Sequence, residues 1–133
     1  MDRLRVVVAD DHALIRRGTC EYLAEDPRIE VVGMAASGRE AVELVERLHP
    51  DLLVTDVRMP DFDGISLTRQ LKERFPELHV IILSMHDDSE MVFKAWQAGA
   101  NGYVIKTADE EQLLHMIWQT LRRERAQLRS TIS

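Results

Sequence analysis

Four apolar runs in this sequence give out at residues that can do chemistry. Val6-Val7-Val8-Ala9 ends at Asp10-Asp11, Leu52 to Thr55 at Asp56, Val80 to Leu83 at Ser84, and Tyr103-Val104-Ile105 at Lys106. A short apolar run bounded by turn residues reads as a strand buried on both faces, where a lone carboxylate is strongly penalised. Asp56 therefore belongs at its strand's carboxyl end, where ligands bind in open α/β sheets. In a parallel sheet all carboxyl ends share one edge, so these side chains converge. Three carboxylates facing one another repel unless something positive sits among them. Oxygen-only donors suit a hard cation, and a pocket with room for waters suits Mg2+. One Asp56 oxygen then stays free as a nucleophile, and carboxylates do form acyl-phosphates. Attacking carboxylate and incoming phosphoryl group are both anionic, so catalysis reduces to placement and charge neutralisation. Mg2+, the Lys106 ammonium and the Ser84 hydroxyl would each meet one equatorial oxygen. These residue types fit aspartyl phosphorylation.

Each residue also has a plainer reading when taken singly. Asp10-Asp11 could cap a helix, and Asp61 and Asp63 read as turn and cap residues rather than ligands. Lys106 could be a surface lysine passing the sheet edge. What favours the joint reading is the coincidence of these residues at successive strand ends.

The elements that must position them follow in order. From His12 a helical pattern carries Leu14, Gly18, Tyr22 and Leu23 on one stripe, broken at Asp26-Pro27. Ile29 to Met34 is strand-like. Ser37-Gly38-Arg39-Glu40 is a capping box, each end satisfying the other's backbone N–H, and it opens a helix with Ala41, Leu44, Val45 and Leu48 buried. His49-Pro50 stops that helix. Asp63 caps a third helix with Ile65, Thr68, Leu71 and Phe75 inward, ended by Pro76. Asp87-Asp88-Ser89 offers caps for a fourth, with Val92, Ala95 and Trp96, closed by Gly99. Thr107-Ala108-Asp109-Glu110 is a second capping box, before a long helix with Leu113, Met116, Ile117 and Leu121. Such strand–helix alternation predicts one α/β domain, a parallel sheet with helices on both faces.

Composition narrows the function. The 133 residues suffice for one domain with a proper core, and a formal net charge of −6 argues against nucleic-acid binding by this chain. The one basic cluster, Arg122, Arg123, Arg125 and Arg129, reads as a solvated helix end complementing the helix dipole. Cys20 is the only cysteine, which excludes an internal disulfide, and it reads as a buried small hydrophobe. No apolar run approaches the about 20 residues of a membrane span, and no basic-then-apolar leader opens the chain, so a cytoplasmic location with no membrane contact is the expectation. The five histidines form no site. His49 and His79 flank strands at the opposite edge, His115 lies on the last helix and His12 starts the first. Only His86 falls near the chemistry, where it could shape phosphodonor access. Trp96 and Trp118 read as packing residues.

The chain resembles the receiver domain of two-component response regulators. Asp10-Asp11, the D-V-R-M-P-D-F-D-G segment from Asp56 to Gly64, Ser84, and G-A-N-G-Y-V-I-K ending at Lys106 stand in that family's order and spacing. The resemblance covers nearly the whole chain. It implies a flavodoxin-like, doubly wound five-stranded parallel sheet of order 2-1-3-4-5. It implies that Asp56 accepts a phosphoryl group from a phosphohistidine on a sensor histidine kinase. Asp11, Asp56 and the backbone carbonyl of Arg58 would ligate Mg2+, with Asp10 helping through water. Ser84 and Tyr103 would form a switch pair, read out by the face built from the fourth helix, fifth strand and fifth helix. D-D-H-A-L-I-R-R-G and V-V-G-M-A-A-S-G-R-E-A-V look most like the NarL/FixJ-type subfamily, whose members usually carry a C-terminal helix-turn-helix that binds DNA. No such motif stands here, so residues 1–128 are expected to be the receiver, and 129–133 a frayed tail or the start of a linker. DNA contact would need that further domain, and homodimerisation on phosphorylation is a possible consequence. A stand-alone receiver acting through protein–protein contacts is the alternative.

Two departures from the family pattern stand out. Thr107 follows Lys106 where many receivers have proline, so a cis bond there is not assumed. Met85 follows Ser84 where a small residue is common, and its bulk would narrow access to Asp56. A Mg2+-dependent phosphatase would want a carboxylate two residues after the nucleophile. Arg58 stands there instead, against turnover of external substrates.

Overall fold

The computed structural model describes residues 3–85, 89–106 and 110–132, with side chains through 122. Among them, strands β1 (Leu4–Ala9), β2 (Ile29–Ala35), β3 (Leu52–Asp56), β4 (His79–Ser84) and β5 (Gly102–Ile105) alternate with helices α1 (Ala13–Ala24), α2 (Gly38–Leu48), α3 (Gly64–Arg74), α4 (Ser89–Ala98) and α5 (Glu111–Ile132). The strands are parallel in the order β2-β1-β3-β4-β5, the flavodoxin-like arrangement the resemblance implies. Alternate residues of the inner strands feed two separate cores. Val7, Ala9, Leu53, Val80 and Ile82 pack with Ala41 and Val45 of α2, Leu67 and Leu71 of α3, and Ala95 of α4. Val6, Val8, Val54, Ile81 and Leu83 pack with Cys20 and Leu23 of α1 and Leu113 and Ile117 of α5. A sheet covered on both faces demands these near-continuous apolar strands, and β3 is buried along its whole length.

Local caps tie the functional edge to this frame. Asp63 accepts the Ser66 N–H at 2.7 Å and starts α3 as expected. Asp61 reaches back across the fold to cap α2, accepting N–H groups of Gly38 at 2.9 Å, Arg39 at 2.8 Å and Phe62 at 2.9 Å. Desolvation would raise the Asp61 pKa, but these backbone donors outweigh it and hold the carboxyl below its ordinary value. Gly64 is forced by close approach, because a Cβ there would lie 2.2 Å from the Asp56 carbonyl oxygen. Its N–H donates to the Val57 carbonyl at 2.7 Å, closing the loop after β3. At the far edge His49 takes the left-handed conformation (φ 48°) that ends α2, its N–H bonded to the Val45 carbonyl.

The structure corrects several expectations. Leu14 does not belong to the buried stripe of α1: it is 82% exposed, because it faces an open groove beside Met85 and Lys106, and burial starts at Cys20 and Leu23. The capping box of α2 closes only halfway. Ser37 Oγ accepts the Glu40 N–H at 3.2 Å, while the Glu40 carboxylate takes the Ala36 N–H, one residue before the expected partner. Trp96 is 54% exposed rather than packed inward, and Phe93 beside it is 62% exposed. Trp118 does pack, with the Arg28 guanidinium 4.2 Å above its ring. The backbone of α5 runs to Ile132, through the residues expected to be a tail or the start of a linker. Asp87, Asp88 and Thr107 to Asp109, proposed above as caps, lie outside the described residues.

Candidate functional site

Three strand ends meet at one lysine. Asp10 follows β1, its N–H donating to the Ala35 carbonyl at 2.9 Å, and is 2% exposed. Asp56 closes β3 and is 8% exposed. Lys106 follows β5, with its backbone N–H on the Ser84 carbonyl at 2.6 Å. That bond fixes the start of its side chain. Its Nζ reaches 2.7 Å from Asp10 Oδ2 and 3.4 Å from Asp56 Oδ2. One ammonium thus serves two buried carboxylates.

That single charge does not satisfy both. Burial pushes the Asp56 carboxyl above its ordinary value, Lys106 pulls it back in part, and the charge of Asp10 pushes it up again. Desolvation wins at Asp56. A second cation there would relieve this frustration. The geometry allows one: Asp10, Asp11, His12 and Asp56 each present a donor atom, all within 4.8 Å of one another.

The remaining sequence candidates fall at different distances from this centre. Ser84 ends β4 opposite Ile105, one step beyond the Leu83–Asp56 pair, and is 2% exposed. Tyr103 lies farther back on β5, opposite Ile82, and packs against the core under α2, α3 and α4. Arg58 is exposed in the loop two residues past Asp56. Met85 is 65% exposed and lines a groove of about 370 Å³ with Leu14, Ile15, Leu83 and Lys106. His86 lies outside the described residues. The residue that sequence reasoning missed is His12, read as a mere helix start. Its Nδ1 stands 3.1 Å from Asp11 Oδ1 and 3.6 Å from Asp10 Oδ1. Its position directly after the acidic pair was the available signal.

The chain belongs to the response regulator receiver domain family, whose model matches residues 6–118. It is similar to the transcriptional regulatory protein DegU of Brevibacillus brevis, 39% identical over 116 residues that cover 87% of this chain and 49% of that protein. In three dimensions it is similar to the receiver domain of the response regulator NarL from Mycobacterium tuberculosis, with a TM-score of 0.85, 32% identity, and coverage of 90% of this chain and 96% of that one. It is also similar to RcsB from Salmonella enterica serovar Typhimurium, solved bound to a promoter in the presence of the phosphomimetic BeF3−, with a TM-score of 0.83, 26% identity, and coverage of 91% and 61%. The chain spans about half the length of the curated relatives it matches. The class is therefore a receiver of LuxR-type two-component regulators. Among the described residues no helix is long and apolar enough to cross a membrane.

Proposed function

We propose that Asp56 is the phosphoryl acceptor of a two-component switch. The observation that carries this is the buried, under-neutralised Asp56, with Lys106 and Asp10 beside it at the carboxyl edge. An Asp56 oxygen attacks the phosphorus of a phosphohistidine on a sensor kinase. The O–P bond forms as the P–N bond breaks, and the electron pair leaves with the imidazole nitrogen. Lys106 and the Ser84 hydroxyl meet two of the equatorial oxygens. Asp11, Asp56 and the Arg58 carbonyl would hold Mg2+, with Asp10 assisting through water, and the spacing of the carboxylates fits such an ion. Bound there, Mg2+ supplies charge neutralisation to the transferring group. The chain modifies only itself and turns over no external substrate.

Phosphorylation adds a dianion that Ser84 can bond, biasing the loop after β4 and, through Tyr103, the surface of α4, β5 and α5. Exposed Phe93 and Trp96 on α4 support that surface as one that meets a partner, a second phosphorylated copy included. The output is transcription in the cytoplasm, through a DNA-binding domain joined beyond α5. The test is incubation with Mg2+ and acetyl phosphate or beryllofluoride, with Asp56→Asn as control. Asp56-dependent, persistent modification supports the switch. Rapid multi-turnover phosphate release, or no modification, overturns it.

A further inference from the structure

Among the described residues, His12 presents a donor atom to the acidic cluster that the phosphoryl chemistry does not use. Its own backbone N–H donates to Asp10 Oδ1 at 2.9 Å, which holds residue 12 against the pocket. Its imidazole does not cap α1, although it stands at the N-cap position. Instead Nδ1 lies 3.1 Å from Asp11 Oδ1 and 3.6 Å from Asp10 Oδ1, and the set closes with Asp56 inside 4.8 Å. Donors at neighbouring positions of a six-coordinate ion with bonds of about 2.1 Å stand about 3.0 Å apart, and opposite donors about 4.2 Å apart. At 3.1 Å the exposed His12 imidazole and the Asp11 carboxylate are in hydrogen-bonding contact, a spacing that two neighbouring donors of one ion also take.

We propose that His12 is a nitrogen ligand of the cation in this pocket, and that it tilts the site toward first-row transition ions over Mg2+. The inference rests on reading the acidic edge as a cation site. Mg2+ binds oxygen and keeps its waters, whereas Mn2+, Co2+ and Zn2+ accept imidazole readily. Lys106 already neutralises part of the carboxylate charge, so a neutral nitrogen adds a bond where a further anion would be redundant. Any oxygen pocket prefers transition ions to some degree. The diagnostic quantity is therefore the dependence of that preference on His12.

The experiment is calorimetric titration of the chain with Mg2+, Mn2+ and Co2+ for the native sequence, His12→Asn and Asp56→Asn. Pulsed electron paramagnetic resonance of the Mn2+ form accompanies it. His12→Asn should weaken Mn2+ and Co2+ by at least about tenfold and leave Mg2+ nearly unchanged. The native Mn2+ spectrum should show nitrogen coupling that the variant lacks. Equal effects on all three ions, no effect, or no nitrogen coupling overturns the role of His12 while the cation site stands. If the native chain binds none of the ions, or Asp56→Asn leaves all binding intact, the cation site itself falls.

Discussion

Two buried aspartates at opposite edges of the sheet show what separates a structural carboxylate from a reactive one. Asp26, at the amino edge before β2, is held chiefly by Arg28. It accepts the Arg28 backbone N–H at 2.9 Å, Nε at 3.0 Å and Nη2 at 2.8 Å. Those bonds, the side-chain ones first, lower its pKa from 3.8 to about 2. Asp56, at the carboxyl edge, has a cation at 3.4 Å that is bound more closely to Asp10, and its pKa is raised. One carboxylate has its partner in full. The other is kept short of one, which leaves a place for an ion and a phosphoryl group.

The sharpest way to break the comparison is to exchange the carboxylates for amides. Asp56→Asn should abolish labelling by acetyl phosphate, read by mass spectrometry, because it removes the carboxylate oxygen proposed to attack phosphorus. In metal-free buffer the same variant should unfold at a higher temperature at neutral pH. The sign follows from linkage: a carboxyl with a raised folded pKa favours the protonated fold, so ionised Asp56 costs stability above that pKa. The advantage of Asp56→Asn should vanish as pH falls and Asp56 protonates. A variant less stable than the native chain at neutral pH would show that Asp56 is not frustrated.

Next in size is Gly64→Ala, which probes the frame around the reactive carboxylate. A Cβ 2.2 Å from the Asp56 carbonyl oxygen must displace backbone, and overpacking of this kind costs about 3 kcal/mol. Denaturant unfolding should show that loss, with slower phosphorylation. Unchanged stability would mean the loop after β3 is not pinned there.

Asp26→Asn should do the opposite of Asp56→Asn. It should cost about 1–2 kcal/mol of stability, allowing for the water that screens the exposed Arg28, and leave phosphorylation intact. Its contribution is present above pH 3.8 and is lost as pH falls through about 2. Acid titration of stability should therefore separate the two aspartates by sign.

The contrast between the edges was half visible in the residues alone. Strand ends at Asp10, Asp56, Ser84 and Lys106 were legible because buried parallel strands are apolar to their last residue, so a polar residue marks the edge. The two-sided sheet followed from alternation. What resisted was anything depending on where a helix stops touching the sheet. Leu14 and Trp96 have the spacing of core residues, but periodicity cannot say that the start of α1 faces an open groove or that α4 turns its aromatics outward. Leu67, fully buried, escaped the α3 stripe because that helix buries a wider face than one row. Asp61 was read as a turn residue, yet it caps a helix more than twenty residues earlier, a contact with no local trace. His12 escaped because adjacency in sequence does not tell which side of the chain an imidazole takes.

The smallest effect belongs to Met85, beside the reactive edge but not of it. Its side chain is 65% exposed in the groove between the start of α1 and the ends of β4 and β5. Truncation removes little buried contact, so Met85→Ala should leave stability within about 0.5 kcal/mol. If its bulk screens Asp56, labelling by acetyl phosphate should quicken, though by less than about tenfold, since no bond of the transition state is touched. An unchanged rate would show that Met85 serves the groove rather than the acceptor. The reactivity of this edge would then rest on the groups around Asp56, with Asp10 and Lys106 setting its charge.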